Sequence, residues 1–357
     1  RVYFIEKNTL DAWYLPVDQV GGTVTKLPLG GVFQRGGSLL FGQTWSLDTG
    51  GDGGLAEQVV FITTEGEVAA YQGLSPADTA TWGKVGTYQI GVPLGKKAWI
   101  RAGGDLVICT SIGFIPLGKA IQRDYAALGQ VAISNPIADE WALAVIERGL
   151  VGWIAELWPE GKMVLVSPPT PTGRQPITFV SNSDSGAWCR FTNWQMYSMK
   201  AFDGKLFMGT AAGVVQQGWI GGSDQGIPYT GTMAPLFNDL DASTSMKTAQ
   251  FGQIVTRGRF NHIVQLTARF DWDPTQPTVP SSPAIPAASV WDLGLWDDAL
   301  WDSGSAAVVQ QEVQALGGTG IAATVVVQVT SAADVPLDVE CIRVDFGYQE
   351  AAAFTGP

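Results

Sequence analysis

The hairpin pattern of this chain is clearest at residues 60–71, which read Val60-Phe61-Ile62-Thr63-Thr64-Glu65-Gly66-Glu67-Val68-Ala69-Ala70-Tyr71. Two apolar runs flank a short polar turn, and the glycine in that turn supplies the positive φ that a tight hairpin requires. Three more segments align with it without gaps over their centres, at residues 3–14, 103–119 and 203–219, and a weaker copy lies at 160–169. The sequence therefore predicts a repeated antiparallel hairpin.

Like positions in successive hairpins are separated by about the length of one β-propeller blade. Phe61 lies 57 residues after Phe4, Ile108 lies 47 after Phe61, Val164 lies 56 after Ile108, and Met208 lies 44 after Val164. A blade of four antiparallel strands takes roughly 40–50 residues. Aromatic-bearing strand segments fall between the hairpins and would complete the blades; they lie at residues 38–47, 81–91, 153–158 and 188–202.

The pattern changes after about residue 260. Residues 259–273 predict a pair of strands, and residues 273–289 form a proline-rich connection without core residues. Trp291, Trp296 and Trp301 follow at steps of five, which suits one face of neither a strand nor a helix. The remaining C-terminal sequence predicts two long strands rich in β-branched residues.

We therefore expect an all-β chain, with a β-propeller over residues 1–260 and a smaller β-sandwich-like module over residues 261–357. Helical periodicity is confined to residues 135–149, which we interpret as an addition to the β fold. Pro136 lies near the start of this helix. Four residues are predicted to share its apolar face: Ile137, Trp141, Val145 and Ile146.

Acidic side chains outnumber basic ones by 33 to 21, which gives a net charge of −12 and a pI near 4.5. Proteins that bind DNA tightly gain affinity by neutralising phosphates with Lys and Arg, so this balance argues against a nucleic-acid-binding protein. Hydrophobic residues make up 46% of the chain and charged residues 15%, which favours a folded protein over a disordered one.

Targeting segments are not indicated by the sequence. No run of about 18 apolar residues predicts a transmembrane helix, and residues 1–10 lack the layout of a secretory signal peptide. Because Arg1 already begins a strand-like segment without a methionine, we expect that upstream sequence has been removed or is missing.

Residues with catalytic or metal-binding chemistry are sparse. Cys109, Cys189 and Cys341 are widely separated and form no CxxC pair, so we expect three small, buried, hydrophobic residues in a reducing compartment and neither disulfides nor a zinc site. His262 is the only histidine, which makes a His-based catalytic triad or a multi-histidine metal site hard to build. We therefore expect no enzyme activity, no cofactor and no metal.

Two segments leave other chemistry open. Residues 182–188 resemble the Asp-box turn of sialidases, although the tryptophan comes one position early, and two carboxylates suffice for glycoside hydrolysis. The Asp297-Asp298 pair offers oxygen ligands of the kind that calcium prefers. We favour a structural turn for the first. For the second we favour a subunit contact through the three neighbouring tryptophans, since Trp is enriched at interface hot spots.

The order of several motifs resembles that of a known family. Residues 59–117 contain a strand, a turn glycine, the stretch YQGLSPADTATWGKVGTYQIGVPLG and the hairpin GGDLVICTSIGFIPL. Residues 290–302 repeat Trp-Asp steps, and DVECIRVDFGYQEAAAF follows near the end. This succession is similar to that of the β-propeller nozzle, or tail-tube adaptor, proteins of short-tailed bacteriophages. The resemblance covers about residues 1–120 and 255–355.

The resemblance implies a structural role in the tail of a virion that is assembled in the cytoplasm of a bacterial host. Such a protein forms a hexameric ring below the head-to-tail connector, contacts tail fibre or spike proteins, and helps to retain and eject the genome. Genomic DNA passes through the ring without specific binding, and the chain does not insert into a membrane.

The acidic composition suits such a channel. An acidic wall lets DNA slide without sticking, through diffuse repulsion that is screened over about 8 Å at physiological salt. We predict that some of nine acidic residues line it: Asp48, Asp52, Glu57, Glu65, Glu67, Asp292, Asp297, Asp298 and Asp302. Two alternatives stay open. One is a carbohydrate-binding or glycan-hydrolysing propeller that serves as a receptor-binding tail protein, and the other is an intracellular scaffold propeller.

Overall fold

A computed structural model of the protein describes residues 1–48, 55–78, 80–194, 196–258, 262–279, 308–331 and 339–351. The chain divides into two compact units, Arg1–Gly218 and Trp219–Pro357. Strands dominate both units, and in the described residues helix is confined to the segment between residues 117 and 148. The expectation of an all-β chain is confirmed.

The first unit contains five antiparallel sheets, each built from strands that follow one another directly in the chain. Sheet 1 consists of β1 (Tyr3–Ile5), β2 (Asp11–Tyr14) and β3 (Thr25–Pro28), and sheet 2 of β4 (Leu39–Asp48), β5 (Leu55–Thr63), β6 (Glu67–Gln72) and β7 (Gly83–Gln89). Sheet 3 consists of β8 (Trp99–Ala102), β9 (Asp105–Cys109) and β10 (Phe114–Pro116). Sheet 4 consists of β11 (Ile154–Trp158), β12 (Met163–Ser167), β13 (Ile177–Asn182) and β14 (Trp188–Thr192), and sheet 5 of β15 (Ser198–Phe202), β16 (Lys205–Gly209) and β17 (Val215–Gln217).

The four predicted hairpins are confirmed as β1–β2, β5–β6, β9–β10 and β16–β17. The turn of the second shows why glycine is required there. Gly66 has φ +78°, and a Cβ at this position would lie 2.6 Å from the backbone oxygens of Ile90 and Gly91. Both the turn conformation and the close approach of the strand end therefore exclude a side chain.

Sheets 2, 3 and 4 bury both of their faces, because alternate residues of their strands enter different cores. In β5, Phe61 packs towards sheet 1, whereas Val60 and Ile62 pack towards sheet 3. In β9, Ile108 packs towards sheet 2 and Val107 towards sheet 4. A strand buried on both faces needs a continuous apolar run, which is why these segments lack the polar alternation of half-exposed strands.

Four hydrophobic cores therefore lie between successive sheets, and we name them A to D in chain order. Core A joins sheets 1 and 2, and core B joins sheets 2 and 3. Core C joins sheets 3 and 4, and core D joins sheets 4 and 5. Representative buried members are Ala12 and Phe61 in A, Ile62 and Ile108 in B, Val107 and Phe179 in C, and Leu165 and Leu206 in D.

In the chain, the helical segment follows sheet 3 and precedes sheet 4. It comprises α1 (Leu117–Ala120), α2 (Leu128–Val131) and α3 (Ala138–Arg148), with short 3₁₀ turns at Tyr125–Ala127 and Asn135–Ile137. The predicted helix is confirmed, and Trp141 is buried in core C. Ile146 is 81% exposed, so its predicted place on the apolar face is wrong. It lies five residues after Trp141, about 140° around the helix, whereas Val145 is four residues away and packs on the core.

The second unit contains two larger sheets that share one core, beside a small pair of β18 (Ser223–Asp224) and β19 (Ile227–Pro228). One sheet has the order β20 (Thr230–Met233), β25 (Ala323–Thr330), β22 (Ile263–Phe270). In the other, β21 (Lys247–Gly258) pairs with β23 (Val308–Ala315), β24 (Thr319–Gly320) and β26 (Val339–Glu350). Ile254 and Phe346 of one sheet pack with Leu266, Val325 and Val327 of the other.

The boundary between the two units differs from the predicted one. Residues 219–258 were expected to belong to the propeller, but their strands pair with later ones. The strand β20 pairs with β25, and β21 pairs with β23 and β26. These partners lie tens of residues away in the sequence, so local patterns did not reveal that the segment belongs to the second unit.

Candidate interaction surfaces

No cluster suited to metal binding occurs among the described residues: no group of three or more His, Cys, Asp or Glu side chains could hold an ion. His262 is buried in the second unit, with its Nε2 2.7 Å from the Thr256 hydroxyl. Its backbone N–H donates to the side-chain oxygen of Gln310 at 3.3 Å. These contacts give the sole histidine a structural place between β21, β22 and β23.

The segment that resembles an Asp-box forms the turn between β13 and β14. The side-chain oxygen of Asn182 accepts hydrogen bonds from the backbone N–H groups of Asp184 and Ser185, both at 2.9 Å, and Gly186 has φ +69°. Asp184 pairs with Lys162 at 2.6 Å, and this hydrogen bond raises the pKa of the lysine. The aspartate carboxylate is therefore engaged at the surface, as in a structural turn.

Three of the acidic residues predicted to line a channel have described side chains, and these three do not form one cluster. Glu57 and Glu65 are exposed, but Glu57 lies near the start of β5 and Glu65 in the turn after it, and the strand between Glu57 and the end of β5 is about 20 Å long. Glu67 is only 6% exposed, and its carboxylate accepts backbone N–H groups of Gln34 at 3.1 Å and Arg35 at 2.8 Å. The prediction that Glu67 faces a channel is therefore wrong, because this carboxylate fastens the loop before β4.

The side chains of the remaining predicted residues lie outside the described part of the chain. Asp48 ends β4, but its side chain lies outside the described part of the chain. The other acidic candidates and the three tryptophans of the predicted subunit contact also lie outside the described residues; they are Asp52, Asp292, Asp297, Asp298, Asp302, Trp291, Trp296 and Trp301.

Charge is divided unequally between the two units. Residues 1–218 carry 18 acidic and 16 basic side chains, a net charge of −2, whereas residues 219–357 carry 15 acidic and 5 basic ones, a net charge of −10. With the boundary at residue 218 known, counting charged residues in each unit would have revealed this unequal charge from the sequence alone. Most of the net negative charge of the chain therefore belongs to the second unit.

Each described basic side chain of the second unit forms an ion pair or hydrogen bonds within the protein. Arg257 is bonded to Glu340, Arg269 lies 3.4 Å from Asp273, and Arg343 lies 2.7 Å from Asp345. Lys247 is completely buried and donates to the carbonyl oxygens of Ala242 at 2.6 Å, Ser245 at 3.2 Å and Ile321 at 2.8 Å. These cations do not offer a basic surface to a phosphate backbone.

The outward side of sheet 5, opposite core D, is apolar and exposed. Phe202 of β15 and Val215 of β17 are each 71% exposed, and Phe207 of β16 lies on the same side, between them. Lys200 and Lys205 also project from this side. We call these five residues the sheet-5 face.

The outward side of sheet 1, opposite core A, mixes aromatic and charged groups. Phe4, 45% exposed, lies beside Trp13, and Trp13 donates to the Glu6 carboxylate at 2.8 Å. The carboxylate of Asp11 lies 2.7 Å from Nζ of Lys26, and this hydrogen bond raises the pKa of the lysine. We call these five residues the sheet-1 face. Sequence analysis missed both faces, because apolar and polar residues mix at their outward positions, so no simple alternation marks them.

A third exposed apolar surface lies on α3 and the turn after it. Leu143 is 48% exposed and Ile146 81% exposed, and they are followed by Leu150 at 44% and Val151 at 81%. Ion pairs flank this ridge, between Arg190 and Glu140 at 2.7 Å and between Arg174 and Glu147. No described residue covers the ridge.

No protein-family model matches the sequence, and no curated protein matches it significantly. Among the described residues, no helix has the length and hydropathy that a membrane span requires.

Proposed function

We propose that this chain is a structural subunit of a bacteriophage tail, which assembles into a ring around the path of the DNA as a nozzle or tail adaptor. The observation that carries the proposal is the serial packing of the first unit, in which five sheets follow the chain and each packs on the next through its own core. It is supported by the succession of motifs in residues 59–117 that resembles such proteins.

We infer that the five sheets are blades of a β-propeller. In a propeller, the sheets are arranged radially and strands at corresponding positions approach one another near the axis. The first strands of several successive sheets do contact one another here, namely β1 with β4, β8 with β11, and β11 with β15. Between sheets 3 and 4 the contact includes a hydrogen bond from the backbone N–H of Ala155 to the carbonyl of Lys97 at 2.9 Å.

We further propose that the second unit, as a β-sandwich, supplies the wall that faces DNA. Its net charge of −10 opposes adhesion of a polyanion, and its described basic groups are already engaged. Repulsion from such a wall acts over about 8 Å at physiological salt, enough to keep a sliding duplex from settling on one side. The role needs assembly and passage only, without covalent chemistry, a cofactor or a metal. Contacts with a connector protein above and with fibre or spike proteins below belong to the same proposal.

Electron microscopy of the full chain, alone and mixed with the connector of the same virion, tests this function. We expect closed rings with a central hole wide enough to admit duplex DNA, at least when the connector is present. Two results together would contradict the proposed role as a nozzle or tail adaptor: particles that remain single subunits in the presence of the connector, and saturable binding of a glycan on an array. They would favour the carbohydrate-binding alternative.

A further inference from the structure

We propose that residues 219–221 form a hinge about which the second unit turns relative to the first. The division of the chain into compact units falls between Gly218 and Trp219. The residues on either side of this segment are held by hydrogen bonds within their own units, whereas the segment itself combines left-handed backbone with exposed side chains. We call residues 219–221 the hinge segment.

Gly218, immediately before the hinge segment, is fixed to the first unit. Its backbone N–H donates to the carbonyl oxygen of Leu206 in β16 at 2.8 Å. A Cβ at this position would lie 3.1 Å from Cε of Met208 and 3.3 Å from Cδ2 of Leu206, so the glycine backbone packs closely on sheet 5. The chain therefore leaves the first unit from a defined point.

Gly222, immediately after the hinge segment, is fixed to the second unit. Its carbonyl oxygen accepts a hydrogen bond from the Ser331 hydroxyl. Ser331 follows β25 and is 1% exposed. Its backbone N–H donates to the carbonyl oxygen of Tyr229 at 2.9 Å, and its hydroxyl accepts the backbone N–H of Tyr229 at 2.9 Å. Three residues therefore connect one fixed point to the other.

The backbone of the hinge segment is in an unfavourable conformation at its first residue. Trp219 has φ +63° and Gly221 has φ +66°, both in the left-handed region. Glycine adopts this region without steric cost, but a residue with a bulky side chain does so only at a cost in free energy, because its Cβ approaches the following carbonyl oxygen. Return of Trp219 to a negative φ would relieve this strain and redirect the chain that follows.

The surroundings of the hinge segment allow such a change. Ile220 is 59% exposed and Trp219 is 47% exposed, so a rotation of the backbone does not draw either side chain out of a fully packed core. In the part of the chain that the structure describes, neither the N–H of Ile220 nor that of Gly221 donates to a backbone oxygen. Hinges typically consist of a few loop residues that absorb large changes in φ and ψ.

The hinge gives the second unit at least two orientations. In one of them Trp219 keeps its left-handed conformation, and in the other it has a negative φ. Because most of the net negative charge lies in the second unit, a change of orientation moves this charge relative to the first unit. The inference goes beyond the proposed function and does not depend on it, since the hinge belongs to the single chain whether or not rings form.

Single-molecule fluorescence energy transfer on the full chain tests the hinge. The exposed thiols Cys189 and Cys341 lie in different units and carry the donor and acceptor dyes, while Cys109 is buried. A second pair combines Cys341 with Leu74→Cys, at a position 84% exposed, after Cys189→Ser. We expect at least two transfer populations with one or both of these pairs. The pair of Leu74→Cys and Cys189, after Cys341→Ser, lies within the first unit and should give a single population.

Two substitutions in the hinge segment should shift the populations in opposite directions. Gly221→Ala disfavours the left-handed backbone and should lower the population that retains it by about fivefold. Trp219→Gly removes the steric cost at the first residue and should raise that population.

Gly213→Ala is the matched control for these substitutions. Gly213 has φ +75° in the turn between β16 and β17, and a Cβ there would meet nothing within 4 Å in the described part of the chain. The same kind of backbone strain is thus introduced outside the hinge segment, and the populations should not change. Circular dichroism and the dye pair within the first unit show that each variant is folded.

Two results would overturn the inference. One is a single population with both pairs that join the units, as narrow as that of the pair within the first unit. The other is a set of populations whose proportions do not shift in opposite directions with Gly221→Ala and Trp219→Gly. Closed rings in either case would leave the proposed function standing, whereas a confirmed hinge in a chain that forms no rings would leave only the hinge.

Discussion

The two units of this chain differ in how their sheets are covered and in where their charge lies. The first unit stacks five small sheets in chain order, buries both faces of the middle three and has a net charge of −2. In the second, two larger sheets share one core and the net charge is −10. The sheets that bury both faces therefore lie in the first unit, and most of the net negative charge lies in the second.

Core truncations in β5 give the largest expected effect. Phe61→Ala should lower the free energy of unfolding by about 3–5 kcal/mol and Ile62→Ala by about 2–5 kcal/mol, although the two side chains point in opposite directions. Val309→Ala in β23, 61% exposed, should change it by less than about 0.5 kcal/mol. Denaturant titration measures all three; a negligible effect at either β5 position would show that sheet 2 has a solvent face.

Lys247→Met should destabilise the second unit by about 3 kcal/mol, because three carbonyl oxygens lose a charged donor inside the protein. Hydrogen-exchange mass spectrometry should show faster exchange in β21 and around Ile321. Lys205→Met, on the surface of sheet 5, is the matched control and should leave exchange unchanged. Equal effects of the two substitutions would mean that the buried ammonium contributes nothing to the second unit.

Glu67 and Glu65 form a matched pair within one turn. Glu67→Gln should cost about 1–3 kcal/mol, since its carboxylate accepts two backbone N–H groups that an amide satisfies less well. Glu65→Gln, at an exposed position, should change the free energy of unfolding by less than about 0.5 kcal/mol. Thermal unfolding of the two variants gives the comparison. A larger loss of stability in Glu65→Gln than in Glu67→Gln would indicate that the Glu67 carboxylate faces solvent.

The charge difference makes a kinetic prediction for particles that carry the protein. Replacing Asp292, Asp297, Asp298 and Asp302 by Lys changes the net charge of the second unit from −10 to −2. We expect genome release to slow, most strongly at low salt, because new cations contact phosphates. Lysine at Glu57 and Glu65 in the first unit is the control. Unchanged ejection kinetics with intact rings would remove the acidic wall from the proposal.

Thiol reactivity gives the smallest effect. Burial raises the pKa of the Cys109 thiol well above its ordinary value, which keeps it protonated and unreactive in the folded protein. Cys189 and Cys341 are exposed, so the expectation that all three cysteines are buried is wrong for these two. Titration with a thiol reagent should therefore label two cysteines in the native state and the third only in denaturant. Rapid labelling of all three would show that core C opens readily.

Local patterns in the sequence predicted the local structure well. The hairpin at residues 60–71 forms as β5–β6, and its turn glycine adopts the positive φ that the pattern required. The helix at residues 135–149 forms too, with Trp141 buried. These features depend on neighbours within a few residues, which the sequence displays directly.

Long-range features escaped prediction. The predicted boundary near residue 260 follows a change in the sequence pattern, but β21 lies before it and pairs with β23 and β26 of the second unit. Glu67 is one of the acidic residues predicted to line a channel, but a loop more than thirty residues earlier in the chain covers it. Which side of sheets 1 and 5 is exposed depends on contacts between whole sheets, and such long-range contacts are not evident in the sequence.

Radial packing is tested most directly by a cryo-electron microscopy map of the assembled protein at a resolution that separates strands. We expect the five sheets of each first unit in chain order around one axis, with β1, β4, β8, β11 and β15 nearest to it. The acidic second units should line the central passage of the ring. Sheets stacked along a line without a common axis, or second units on the outside of the ring, would contradict this arrangement.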